Sequence, residues 1–263
     1  MGHTKLAVVT GASSGIGFEL ARLFADDGYD LVLAADEERI VDAARELAAS
    51  GVEVVPVQSD LRNPDEVQRL YRTATSGGRA VDAAALNAGI GRAGRFVDED
   101  LEADLRIVDV NVRSTVHLAK LVLRDMANRG VGKVLFTSSV VAMMPGSYQT
   151  MYNASKSFIQ SFAEGLHDEF RSTGVSVTAL MPGPTDTEFF RRADMLDTPL
   201  GRMPFKDDPA KVAKQGYDAL MRGEQKVVAS SLNSKLMGAA ARLLPDSVKA
   251  VANRLIIAPL GDR

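Results

Sequence analysis

The run Leu6-Ala7-Val8-Val9-Thr10-Gly11-Ala12-Ser13-Ser14-Gly15-Ile16-Gly17 decides the architecture. Its first five residues lack polar alternation and read as a strand buried on both faces. Glycines then allow a tight turn, and Leu20, Leu23 and Phe24 share one face of a helix that Gly28 stops. Strand, glycine turn and helix in that order set the unpaired N–H groups and partial positive charge of a helix N-terminus at a strand end, a place that welcomes a pyrophosphate. The contacts expected there come from Gly11, Ser13, Ser14, Gly15, Ile16 and Gly17. The spacing is G-x-x-x-G-x-G, not the G-x-G-x-x-G of the more familiar dinucleotide fingerprint.

Outward from this run the pattern repeats. Leu6–Thr10, Asp30–Ala35, Glu53–Val57, Asp82–Leu86, Lys133–Ser138, Val175–Met181 and Lys226–Ala229 read as short buried strands with amphipathic segments between them. Asn63-Pro64 reads as an N-cap followed by proline at the first helical position. The expected fold class is α/β: a doubly wound Rossmann-type three-layer sandwich around a mainly parallel seven-stranded sheet. One domain covers 1–263. Within it the proline-punctuated stretch 182–209, with one helical candidate at Glu188–Leu196, is expected to be a substrate loop, and 230–263 a C-terminal helical extension.

Composition narrows the function. The chain has 263 residues, a net charge of −3 and no cysteine. Disulfides and thiolate metal sites are excluded, and three scattered histidines (His3, His117, His167) make no metal centre. A basic face for nucleic acid is not expected, and no apolar run is long enough to span a bilayer. The opening residues lack a signal-peptide pattern, so the expected location is cytoplasmic.

Polar residues recur at the predicted strand ends, where ligands of open α/β sheets collect. Asp36 follows the second strand, placed to accept hydrogen bonds from a ribose diol and to repel a 2′-phosphate; it favours NAD, while nearby Arg39 keeps NADP open. Asp60 and Leu61 follow the third strand, and Asn87-Ala88-Gly89 the fourth. Tyr152 and Lys156 stand four apart, on one helical face, with Ser139 thirteen positions upstream. A lysine charge beside a phenol lowers its pKa and makes it a general acid/base at neutral pH.

These residues together resemble the short-chain dehydrogenase/reductase family. Its T-G-x-x-x-G-x-G is similar to Thr10–Gly17, its N-A-G to Asn87–Gly89, its active-site asparagine to Asn111, its serine to Ser139, and its Y-x-x-x-K to Tyr152 and Lys156. Its P-G-x-x-x-T segment is similar to Pro182, Gly183 and Thr187, with Thr185 inside it, and the match spans about residues 4–190. The resemblance implies hydride transfer between a nicotinamide cofactor and a carbonyl or secondary alcohol. Tyr152 would exchange the proton, Ser139 would bind the substrate oxygen, Lys156 would lower the phenol's pKa and hold the nicotinamide ribose, and Asn111 would position a water. The spacing of thirteen selects Ser139 over Ser138. The alternative is a scaffold or redox sensor that binds dinucleotide without turnover.

The resemblance implies a homodimer or homotetramer but no particular substrate beyond a small, rather apolar carbonyl or alcohol. Phe158, Phe162, Leu166 and Phe170 form a ladder suited to helix core or a subunit interface. Met143-Met144-Pro145 is a candidate substrate contact or an ordinary loop. In the extension, Leu232, Leu236, Leu243 and Leu244, then Val248, Val251, Leu255 and Ile256, recur at near-helical spacing beside basic residues. Such stripes can lie on a membrane surface or cover an apolar substrate; the simpler expectation is that both pack on the protein itself or on a partner subunit.

Overall fold

A computed structural model describes residues 4–229 and 245–258. Seven strands, β1 (Leu6–Thr10), β2 (Asp30–Ala35), β3 (Val54–Gln58), β4 (Ala83–Leu86), β5 (Gly132–Thr137), β6 (Val175–Pro182) and β7 (Lys226–Ala229), form one sheet in the order β3-β2-β1-β4-β5-β6-β7. Every pairing is parallel. The strands fall within a residue or so of the expected runs, since hydrophobic runs locate strands better than their end hydrogen bonds. Pro56 sits within β3, which is tolerated because β3 is an edge strand.

The alternation of side chains explains why these strands show no polar period. In β1, Leu6 and Val8 enter one core, while Ala7 and Val9 enter the other. The first core is covered by α3 (Pro64–Ala74), α5 (Ser114–Arg129) and α6 (Thr150–Glu169); the second by α1 (Gly15–Asp26), α2 (Arg39–Ala48) and α8 (Pro209–Arg222). The local signals hold at two termini. Asn63 Oδ1 accepts from Asp65 N at 2.9 Å with Pro64 opening α3, and Gly28 at φ +76 ends α1. Between them, α4 (Leu101–Ile107) runs through a π-helical segment, Val108–Arg113, into α5.

The loop after β6 differs from its expectation. Helix α7 covers only Phe189–Arg192, not 188–196, because Asp194 adopts a left-handed φ of 52 and breaks the next turn. Its two ends are tied together: Asp186 N donates to Asp207 O and Asp207 N to Pro184 O, both at 2.8 Å. The excursion therefore has a closed neck, as compact functional loops do.

In the extension, α9 (Asp246–Ile257) lies against this loop. Ile257 joins Phe190, Ala193, Met195 and Leu200 in a small third core, and Leu200 N donates to Ile256 O at 2.9 Å. Val248, Val251, Leu255 and Ile256 do not pack on the chain itself but are exposed, while Asn253 and Ile257 form the face turned to the protein. The stripe of Leu232, Leu236, Leu243 and Leu244 lies outside the described residues. No described helix is long and apolar enough to cross a membrane.

Candidate active site

Strands β1 and β4 lie side by side while the segments that follow them cover opposite faces, so a crevice opens at their carboxyl ends. A cavity of about 460 Å³ fills it, running from the glycine loop to the loop after β6. Gly11 at φ +65 and Gly15 at φ +59 take the left-handed turns that the loop needs. Gly17 lies behind the wall: a Cβ there would collide with the Gly11 carbonyl, so its role is to seat α1 against the loop. Ser14 caps α1 by backbone only, with no side-chain hydrogen bond to the first-turn N–H groups.

The polar strand ends meet here. Asp36, Asp60 and Leu61 line one end of the cavity, with Ala88 and Gly89 beside them. Asn87 also borders the cavity, but its amide is structural. Its Oδ1 accepts from Thr137 Oγ1 at 3.0 Å and its Nδ2 donates to Thr10 O at 3.2 Å, tying together the ends of β1, β4 and β5. Pro182, Gly183, Thr185 and Thr187 form the opposite rim. Thr187 stands directly over Gly15, where an added Cβ would approach its Cγ2 to 2.9 Å.

Ser139, at the end of β5, opens a 3₁₀ turn over Val140–Met143; its Oγ accepts from Val141 N at 3.4 Å and donates to Pro182 O at 3.5 Å, and it borders the cavity beside Tyr152 of α6. One turn further on, Lys156 Nζ donates to Thr137 O at 2.9 Å and lies 5.8 Å from the centre of the Tyr152 ring. All three residues, Ser139, Tyr152 and Lys156, line the cavity. Their electrostatics depart from the sequence expectation of a phenol softened by lysine. Burial pushes the Tyr152 phenol up to about 12, with the Ser139 side chain acting against it, and burial pushes the Lys156 ammonium down to about 8. Both groups are held nearer neutrality because burial strips water from their charged forms.

A family model for short chain dehydrogenases matches residues 5–195, the same span that carries these features. The chain belongs to the short-chain dehydrogenase family.

A short chain dehydrogenase of Pseudocercospora fijiensis is 36% identical over 197 residues, covering 74% of this chain and 64% of that relative. Two solved structures share the fold nearly end to end. A short-chain dehydrogenase from Sphingobium yanoikuyae in complex with NADPH has a TM-score of 0.80 at 28% identity, over 91% of this chain and 94% of that one. A short chain dehydrogenase/reductase from Burkholderia phymatum in complex with NAD has a TM-score of 0.83 at 26% identity, over 92% of each.

In this short-chain dehydrogenase Asn111 lies in the π-helical segment and is buried off the cavity. Its Oδ1 accepts from Ile90 N at 2.8 Å, and its Nδ2 donates to Ile90 O and Ser155 Oγ, each at 2.9 Å. The side chain therefore anchors the loop after β4 to α6. His117 pairs with Gln68 at 3.0 Å between α5 and α3, away from the chemistry. Met143 and Met144 are not on the cavity wall, which takes Val140 and Val141 from that turn.

Several site residues escaped the sequence reading. Glu37 Oε1 accepts from Ser13 Oγ at 2.5 Å and from Arg192 at 2.6 Å, joining the glycine loop to α7. Those two donors outweigh the desolvation of its carboxylate and leave its pKa lowered; desolvation is the largest single influence. Phe189, whose ring centre lies 5.2 Å from that of Tyr152, and Phe190, Met195 and Leu200 form an apolar roof. Gln149 completes it. Partners 155 positions apart, as Arg192 and Glu37 are, leave no local periodic signal.

Proposed function

We propose that this protein is an NAD(P)-dependent oxidoreductase acting on a carbonyl or secondary alcohol, with Tyr152 as the general acid/base. The observation that carries this reading is the meeting of Ser139, Tyr152 and Lys156 in the cavity that the glycine loop opens.

The residues fit a dinucleotide. A Cβ on Gly11 would press on Ala88 and one on Gly89 would approach Lys156 Nζ to 3.0 Å, so bare backbone is what leaves room along the crevice. First-turn N–H groups of α1 would bind the pyrophosphate, Asp36 the adenosine ribose, and Lys156 the nicotinamide ribose. When bound, the nicotinamide gives or takes the hydride. NAD is favoured over NADP because Asp36 lines that end while the neighbouring Arg62 is engaged by Asp60 and Arg192 by Glu37; Arg39 keeps NADP open.

Ser139 donates a hydrogen bond to the reacting oxygen and orients it toward the phenol. Tyr152 delivers its proton to that oxygen in reduction and removes it in oxidation; a raised pKa favours the proton-loaded form that reduction requires. Lys156 lies beneath the ring to restore the proton. Both Nδ2 hydrogens of Asn111 and one lone pair of its Oδ1 are engaged, so a water it positions for that resupply would rest on the remaining Oδ1 lone pair or on its backbone. The roof of Phe189, Phe190, Met195 and Leu200 suits an apolar substrate and excludes water. Phe158, 42% exposed on α6, supports a homodimer or homotetramer through this helix, and we place the protein in the cytoplasm.

Tyr152→Phe tests the reading. Proton transfer by a positioned side chain contributes about 10²–10⁴ in rate, so turnover of ketones should fall by that factor while NADH titration shows unchanged binding. The ring keeps its contact with Phe189, so the fold is retained. Undiminished function in that variant would favour the idle scaffold or redox sensor instead.

A further inference from the structure

Gln149 lies at the N-terminal boundary of α6, three residues before Tyr152, and is only 3% exposed. It borders the same cavity as Tyr152, among Phe189, Phe190, Met195 and Leu200. Its side chain makes one hydrogen bond among the described residues, from Nε2 to Met195 Sδ at 2.9 Å. A thioether is a weak acceptor, and the amide oxygen has no partner of its own there. A methionine or leucine would fill the same volume without burying an ill-matched amide. The amide is therefore poorly explained by packing and well placed to meet a ligand.

We propose that Gln149 is a specificity-determining residue that hydrogen-bonds a second, neutral oxygen of the substrate. The substrate class becomes an apolar ketone, or its alcohol, that also bears an ester, amide or hydroxyl oxygen near the reacting carbon. This rests on Tyr152 acting at the carbonyl, as set out above. Gln149 and Tyr152 border one cavity from the start of α6, so the second oxygen is sought within a few bonds of the reacting carbon. An amide both donates and accepts, so it serves a carbonyl or a hydroxyl. A carboxylate fits poorly against the roof itself, which carries no cation: Lys156, Arg62 and Arg106 line the cavity elsewhere, and Arg192, the last residue of the adjoining α7, is held by Glu37. Burying an unpaired anion against phenyl and thioether groups is heavily penalised.

Steady-state kinetics with three compounds of matched length test this: a plain methyl ketone, a 3-oxo ester and a 3-oxo carboxylate. For the wild type, kcat/KM for the oxo ester should exceed that for the plain ketone by about tenfold or more, as expected when a site's polar group would otherwise stay unpaired. In Gln149→Met and Gln149→Leu that ratio should collapse toward one, chiefly through KM. Equal rates of the wild type on ester and ketone would overturn the assignment, and so would a ratio unaltered in the variants. A carboxylate as the best substrate would also overturn it. The wild-type comparison requires no variant, so a misfolded Gln149→Met leaves the test intact. Failure of the wild type to turn over any ketone while still binding dinucleotide is a separate result, which sinks the reading of Tyr152 and this inference with it.

Discussion

Replacing Lys156 by methionine should separate what the buried lysine contributes to chemistry from what it takes from stability. Its ammonium is 5% exposed and falls from an ordinary 10.5 to about 8 by desolvation. In the folded protein the group therefore sheds its proton near pH 8, whereas the unfolded chain keeps it until about 10.5. Between those values the unfolded state binds more protons, so stability rises with pH. The gap corresponds to ~3 kcal/mol of disfavour for the buried charge, present in full below pH 8. Methionine, similar in length and uncharged, removes it but loses the hydrogen bond from Nζ to Thr137 O, worth ~1–2 kcal/mol to a charged donor. At pH 7 the variant should be equal to the wild type in stability or ~1–2 kcal/mol more stable, with turnover largely lost. Urea unfolding of both proteins at pH 7, 8.5 and 9.5 reads this out. Relative to the variant, the wild type should gain ~2 kcal/mol between pH 7 and 9.5. The raised Tyr152 phenol acts the opposite way, losing stability as pH rises above 10, but it is common to both proteins and lies beyond the range. A difference that stays flat from pH 7 to 9.5 would refute the reasoning, because it would mean that Lys156 is not desolvated.

Two further outcomes follow from the crevice. Asp36→Ala should narrow the preference for NADH over NADPH, since the carboxylate both binds a ribose diol and repels a 2′-phosphate; paired fluorescence titrations measure it, and a preference left intact would count against the assignment. Glu37→Gln weakens the link between Ser13 and Arg192, so stopped-flow release of NADH should accelerate several-fold, whereas the melting temperature barely moves because partly exposed ion pairs contribute ~0–1 kcal/mol. Unaltered release would show that the link does not hold the loop over the dinucleotide.

The legible parts of this chain are those written in short range. The strands β1, β2 and β7 coincide with their expected runs; in β1 and nearly all of β2 this is because a strand covered on both faces is apolar along its length, whereas β7, at the sheet edge, is located by its Val227-Val228 pair. Tyr152 and Lys156 share a helical face by spacing alone, and Ser139 reaches the same cavity because the segment 138–149, with its 3₁₀ turn, brings the end of β5 back to the start of α6. Helix α7 was over-read because a helical pattern from Glu188 onward says nothing of the left-handed Asp194 that ends it. The orientation of α9 is not legible for a related reason: an apolar stripe fixes which residues lie together, not which side of the helix meets the protein.

The sequence by itself determined the doubly wound sheet, the glycine turn into α1 and the family, because each depends on residues a few positions apart. Only the tertiary structure decided that burial holds Tyr152 and Lys156 toward their neutral forms, that Glu37 joins Ser13 to Arg192, and that Gln149 faces Met195 within the cavity. Desolvation and long-range contact are properties of the packed chain as a whole, and no local run of residues encodes them.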